Sequence, residues 1–172
     1  MIQFVSKETN KKYKREVEGM GKGLVLLHLE NINKNNGYNF HLFYRNGKKP
    51  PLDIGICPKD NNIEYISFFI QDETVATTKN TPEIFYEKNG LKIFSEKFSL
   101  DNLSVNFEKD FDILFCDDSL IIVEKNITQK LIAYFISENE YILINENKEV
   151  SGFIFKSISQ QELAILKASK VI

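Results

Sequence analysis

The sequence predicts a mainly β, antiparallel fold, either a β sandwich or strongly curved meander sheets, closed by a short C-terminal helix. Its aromatic residues are 14 Phe and 7 Tyr with no Trp, a usage that favours pleated, half-buried strands over helices. From residue 23 onward, short apolar runs recur between turn residues, as they do in sandwiches and barrels. At 172 residues and 42% hydrophobic composition, the chain is long enough to bury one core. We therefore expect a single domain, 1–172.

In the first half, the clearest predicted strands cover residues 24–29, 38–45, 52–57, 63–71, 84–88 and 91–95. Residues 38–45 alternate strictly, with Phe40 and Leu42 on one face and His41 and Phe43 on the other, which is the period of a half-buried strand. Asn46-Gly47 and Asn89-Gly90 follow two of these strands. Since Asn-Gly readily supplies the two positive φ angles of a type I′ turn, each dipeptide predicts a β-hairpin.

In the second half, strands are predicted over residues 111–116, 120–124, 131–136, 141–144 and 150–156. Short polar turns separate them, so we expect an antiparallel meander. Residues 120–123 are apolar on both faces, which predicts a sheet covered on both sides, by the first half and by the last helix. Ser159 and Glu162 form a capping-box pattern that predicts the helix over residues 159–169.

A weak internal repeat also appears in the sequence. Residues 66–72 resemble residues 132–138, and residues 54–57 align without gaps on residues 120–123. This offset of 66 residues predicts two related β halves, 23–95 and 96–158. The alternative is that amphipathic strands of similar composition resemble one another by chance.

Charge and composition narrow the range of partners. The formal net charge is −2, but residues 1–60 carry eleven Lys and Arg against six Asp and Glu, whereas residues 61–172 carry eleven against eighteen. We expect an electrically polar molecule that does not bind nucleic acid or anionic membranes. The sequence shows no secretion signal and no apolar run near the roughly 18 residues of a membrane span. Cys57 and Cys116 are far apart, which predicts reduced thiols and a cytoplasmic location.

The sequence contains no catalytic or metal-binding signature, so we expect no catalytic residues, no cofactor and no metal. The only histidines, His28 and His41, lie inside predicted strands with no second His or Cys at zinc-ligand spacing. A Cys–His pair formed by Cys57 or Cys116 with His41 is formally available, but neither cysteine lies in a nucleophile motif. The glycines of residues 19–23 precede a strand instead of the helix that a phosphate loop requires.

Four acidic residues, Asp117, Asp118, Glu138 and Glu140, form the one informative polar group. Successive turns of a meander alternate between the two ends of a sheet, so the turns that carry these residues are expected at the same end, without neutralising Lys or Arg. Three interpretations remain open: a solvated sheet end, a docking surface for a basic protein, and an acid/base or divalent-metal site. We take partner binding by these four residues as the working prediction.

One group of segments in the final third of the chain comprises residues 111–115, 141–147, 152–155 and the helix residues 161–163. Through these segments the chain resembles small bacterial immunity proteins of polymorphic or contact-dependent toxin systems. The resemblance implies a non-enzymatic inhibitor that covers the active site of a cognate protein toxin, often a basic nuclease. The alternative is a structural or scaffold β protein, of a phage or a surface assembly, that self-associates through strand edges.

Overall fold

A computed structural model describes residues 2–172 of the chain. These residues are 54% strand and 5% helix, which confirms the predicted mainly β fold with one short C-terminal helix. The elements in chain order are β1 (Ile2–Lys7), β2 (Tyr13–Gly19), β3 (Leu24–Asn31), β4 (Phe40–Arg45), β5 (Leu52–Ile56), β6 (Ile63–Gln71), β7 (Ala76–Thr77), β8 (Ile84–Glu87), β9 (Gly90–Ser95), β10 (Ser104–Glu108), β11 (Phe111–Cys116), β12 (Ser119–Glu124), β13 (Leu131–Ser137), β14 (Glu140–Asn145), β15 (Val150–Phe155) and α1 (Gln160–Ala168).

The strands form two large sheets and one two-stranded ribbon. The six-stranded sheet has the order β10-β4-β5-β6-β3-β2, the seven-stranded sheet has the order β7-β11-β12-β15-β14-β13-β8, and β1 pairs with β9. Neighbouring strands are antiparallel except for the edge pairs β10–β4, β7–β11 and β8–β13. Parallel pairing therefore occurs only where an edge strand is added.

The two sheets share one internal topology. The order β2-β3-β6-β5-β4 in the first sheet matches β11-β12-β15-β14-β13 in the second, and each is extended by a parallel strand, β10 or β8. This shared order pairs β5 with β14 and β6 with β15, whereas the sequence alignment had paired β5 with β12 and β6 with β13. The predicted boundary between the two halves, after residue 95, does not separate the two sheets. β8, which precedes the boundary, joins the second sheet, and β10, which follows it, joins the first.

Two local predictions are wrong, and a third is only partly right. The second half is not a simple meander, because β15 inserts between β12 and β14. Asn89-Gly90 does not form a hairpin, since β8 and β9 belong to different sheets; the Asn89 carbonyl instead accepts from the Phe135 amide at 3.0 Å. Asn46-Gly47 does join the antiparallel strands β4 and β5, but only Gly47 has a positive φ, so the turn is not type I′.

The main core lies between the two sheets. Phe68 of the first sheet meets Phe111 and Phe153 of the second edge to face, with ring centroids 6.0 and 5.9 Å apart. Gly152 permits the close approach of β15 to β12, because a Cβ there would lie 1.8 Å from the Ile122 carbonyl oxygen. Its φ of +139° is also a conformation that side chains disfavour.

The seven-stranded sheet is buried on both faces, as predicted. A second apolar cluster lies on the face opposite the main core and consists of Ile121, Val123, Leu131, Ala133, Leu143 and Ile154. The helix does not cover that face: α1 packs against β2, and its Leu166 belongs to the main core. The predicted capping box is present, with Ser159 Oγ accepting from the Glu162 amide and a Glu162 carboxylate oxygen accepting from the Ser159 amide, both at 3.0 Å.

Candidate functional site

The two turns that carry the predicted acidic residues lie at the same end of the seven-stranded sheet. The C-terminal end of β15 separates them, with the Lys156 amide donating to the Asn139 carbonyl at 2.7 Å and the Ile158 amide donating to the Asp118 carbonyl at 2.8 Å. The turns lie at one end although the strand order differs from a meander, because each consecutive pair in the order β11-β12-β15-β14-β13 is antiparallel. We call Asp117, Asp118, Glu138 and Glu140 the acidic rim.

Three members of the acidic rim are exposed and unpaired. Asp117, Asp118 and Glu138 are all solvent-exposed, and none of them forms an ion pair with any residue of 2–172. Asp117 has a φ of 55°, a left-handed conformation that Asp tolerates better than most residues. Asp117 and Asp118 accept hydrogen bonds from the adjacent side chains of Cys116 and Ser119, at 3.9 and 3.4 Å, and all three carboxylates stay open to solvent.

Glu140 differs from the other three, and here the prediction of an uncompensated carboxylate is wrong. Its exposure is 7%, it accepts a hydrogen bond from the Ser137 hydroxyl, and its Oε1 lies 3.2 Å from Arg15 Nη1. The cation comes from β2, in the basic part of the chain. Sequence reasoning missed the pair because residues 15 and 140 meet only through the packing of the two sheets.

Arg15 binds several elements at once. Its Nε and Nη2 donate to the two carboxylate oxygens of Glu162 at 3.0 and 2.8 Å, a bidentate contact with the first turn of α1. Nη1 donates to the Lys156 carbonyl at 2.6 Å, and Nη2 donates to the Ser157 carbonyl at 3.1 Å. Burial acts to raise the pKa of Glu162, but hydrogen bonds from Arg15 and the Ser159 amide lower it overall. Arg15 thus fixes β2, the end of β15 and α1 to one another.

A groove of about 680 Å³ runs beside the acidic rim, between β2, the β13–β14 turn and α1. Four carboxylates line it, Glu16, Glu18, Glu140 and Glu162, against the single guanidinium of Arg15. Glu16 is partly neutralised by Lys14, whose Nζ lies 2.9 Å away. We call this feature the acidic groove. It extends the acidic surface onto β2.

A second polar constellation lies on the outward face of the six-stranded sheet. Tyr65 donates its hydroxyl hydrogen to Asp53 Oδ2 at 2.8 Å, and His41 Nδ1 lies 2.8 Å from that hydroxyl and 3.1 Å from Asp53 Oδ1. Because the Tyr65 hydroxyl donates its one hydrogen to the Asp53 carboxylate, His41 Nδ1 must act as a donor, which assigns the His41 proton to Nδ1. Gly55 makes room for the Tyr65 ring, because a Cβ at Gly55 would lie 2.3 Å from it.

His28 lies on the same face. Its ring stacks on Tyr65 at 5.9 Å between centroids, and its Nε2 lies 3.2 Å from a Glu30 carboxylate oxygen. The alternation of each strand places both histidines on an outward face, but which strands are neighbours could not be read from the sequence. The part of the chain that the structure describes contains no group of three or more His, Cys, Asp or Glu side chains placed to hold a metal ion.

No protein-family model matches this chain, and no curated protein matches its sequence. None of the helices among residues 2–172 is both long and apolar enough to cross a bilayer.

Proposed function

We propose that this protein is a non-enzymatic immunity protein, which binds a cognate bacterial toxin and occludes its active site. The observation that carries the proposal is the set of three exposed, unpaired carboxylates, Asp117, Asp118 and Glu138, at one end of the molecule beside the acidic groove. A surface of one charge sign raises the encounter rate with an oppositely charged partner and disfavours wrong partners. A basic nuclease toxin fits this chemistry.

The proposed mechanism is steric occlusion aided by complementary charge. Arg15 holds β2, β15 and α1 together around the acidic groove, so the contact surface is ordered before binding. A pre-ordered surface loses less conformational freedom on association. In this proposal Glu140 supports the surface through Arg15, while Asp117, Asp118 and Glu138 contact the toxin directly.

A genetic test identifies the cognate toxin and measures protection against it. We expect the adjacent upstream gene to encode a long modular protein with a variable C-terminal domain, and we expect this chain to protect cells that express that domain. Growth of protected cells at a toxin level that kills unprotected cells supports the proposal. If this chain is stably produced and the cells still die, the toxin assignment is wrong.

The physical test measures association rates with that toxin domain. Replacing Asp117, Asp118 and Glu138 together by Lys should slow association at low salt by roughly tenfold or more, and should weaken its dependence on salt. The matched control replaces Asp101, Glu108 and Glu146 by Lys; these residues are also exposed and give the same change in charge away from the acidic rim. Equal rates for the two triple variants would remove the acidic rim from the proposal.

A scaffold protein is the second candidate, favoured by the edge strand β8. Phe85 and Tyr86 on this strand are 49% and 47% exposed, and exposed aromatic edge strands promote strand pairing between molecules. Sedimentation velocity at micromolar concentration separates the two proposals. Concentration-dependent assembly that a Phe85→Lys variant abolishes, together with failure to protect cells, would favour the scaffold. A protein that stays monomeric at micromolar concentration would argue against the scaffold proposal.

A further inference from the structure

A cleft of about 390 Å³ opens between β1, β4, β10 and the β14–β15 turn. This turn lies at the opposite end of the seven-stranded sheet from the acidic rim, because successive turns of β13, β14 and β15 alternate between the two ends. The volume falls in the range of small-molecule sites. Apolar side chains form most of the lining: Ile2, Phe4, Tyr44, Phe107 and Val150.

Tyr44 supplies a hydroxyl to this cleft, whose other polar lining residues are Asn147, Lys148 and Glu149. The residue is 4% exposed, and its ring is fixed by stacking on Phe107 at 4.9 Å and by an edge contact with Phe111 at 6.5 Å. Its hydroxyl makes no hydrogen bond within residues 2–172, and it is not among the side-chain atoms sealed away from solvent-accessible space. Because Tyr44 lines the cleft, this solvent-accessible hydroxyl has an unused capacity for one hydrogen bond to a molecule bound there.

Charged groups lie at the mouth of the cleft and beneath the Tyr44 ring. Lys148 and Glu149 come from the β14–β15 turn. Lys109 Nζ lies 5.9 Å from the centre of the Tyr44 ring and is itself satisfied by the Val150 carbonyl at 3.0 Å. Burial, and secondarily the Glu149 carboxylate, raises the pKa of Tyr44, so its hydroxyl is neutral and can donate as well as accept.

We propose that this cleft binds a small apolar molecule, aromatic or aliphatic, that carries one hydrogen-bonding group directed at the Tyr44 hydroxyl. Apolar walls with a small number of placed polar groups are the usual composition of a small-molecule site. The walls supply affinity by removing apolar surface from water, and the hydroxyl selects ligands with a matching polar group. This proposal does not depend on the toxin-binding proposal, because the two surfaces lie at opposite ends of the sheet.

The test uses 1-naphthol and 1-methylnaphthalene, which have similar shapes and differ in hydrogen-bonding ability. Fluorescence titration of the full chain should show saturable one-to-one binding of both probes, with 1-naphthol bound roughly fivefold more tightly, the value of one neutral hydrogen bond. In Tyr44→Phe the preference should fall within about twofold, while the affinity for 1-methylnaphthalene stays unchanged. No residue of 2–172 loses a hydrogen bond in this variant, so it should fold.

Phe4→Trp adds bulk to the wall of the cleft and should weaken both probes by about tenfold or more, as expected when a ligand-sized space is filled. Phe94→Trp is the matched control, because Phe94 lies on β9, the partner strand of β1, is 36% exposed and does not line the cleft. Absence of saturable binding to the wild-type chain would overturn the proposal. A 1-naphthol preference that persists in Tyr44→Phe, or equal effects of the two Trp variants, would also overturn it.

Discussion

Replacing Arg15 by Met tests how much of the stability rests on the contact between β2, α1 and the acidic groove. The side chains of Arg15, Glu140 and Glu162 are only 12%, 10% and 16% exposed. Removal of the guanidinium leaves Glu140 as a buried carboxylate whose remaining partner is the Ser137 hydroxyl. Breaking a buried ion pair from one side costs about 3–5 kcal/mol. The Met side chain should retain packing on the Phe155 ring, whose centre lies 5.4 Å from Arg15 Cζ.

Urea unfolding at pH 7 measures this loss directly. Lys14→Met is the matched control, because Lys14 precedes Arg15 on β2 but its ion pair with Glu16 is exposed, so it should leave the urea midpoint nearly unchanged. Adding Glu140→Gln to Arg15→Met removes the unpaired charge and should recover about 1–2 kcal/mol through coupling of the two sites. A loss below about 1 kcal/mol for Arg15→Met, or no recovery in the double variant, would refute the reasoning.

Three further outcomes follow from local geometry. Gly152→Ala should prevent folding, at a cost above about 4 kcal/mol, because the added Cβ would collide with the Ile122 carbonyl. Circular dichroism of the purified variant checks this prediction, and a native spectrum would contradict it. Gly55→Ala should displace the Tyr65 ring and break the hydrogen bonds of the Tyr65 hydroxyl, at a cost of about 1–3 kcal/mol in unfolding free energy. This loss should lower the urea midpoint, and an unchanged midpoint would count against the hydrogen bonds among His41, Asp53 and Tyr65. The pKa of Glu162 is lowered on folding. The stabilisation from its carboxylate is therefore present above the ordinary pKa of 4.5 and is lost as pH falls through the folded pKa. Glu162→Gln should flatten the curve of unfolding free energy against pH in that acid range, and parallel curves for the variant and the wild-type protein would argue against this linkage.

Much of the fold was readable from local patterns. The alternation in β4, the apolar runs of β11 to β15 and the capping box at Ser159 each predicted an element that the structure contains. These predictions succeeded because strand alternation and helix capping depend on residues within a few positions of one another. Asn89-Gly90 failed for the opposite reason, since β8 pairs with β13 and β9 pairs with β1, two strands that are distant in sequence.

The candidate site divides in the same way. Antiparallel alternation was sufficient to bring the turns of Asp117 and Glu138 to one end of the sheet, even though β15 inserts between the strands that carry them. It was not sufficient to identify Glu140 as a buried partner of Arg15. A pair separated by this many residues leaves no periodic signal in either strand.

Sequence alone determined that this chain forms antiparallel strands with a capped C-terminal helix, and that acidic turns gather at one sheet end, because both follow from side-chain alternation and turn chemistry. Tertiary structure alone decided which carboxylates stay free, how His41, Asp53 and Tyr65 meet, and that a cleft opens beside Tyr44. Each of these depends on contacts between strands distant in the chain. Long-range packing of two sheets, and not local propensity, places those groups within hydrogen-bond distance of one another.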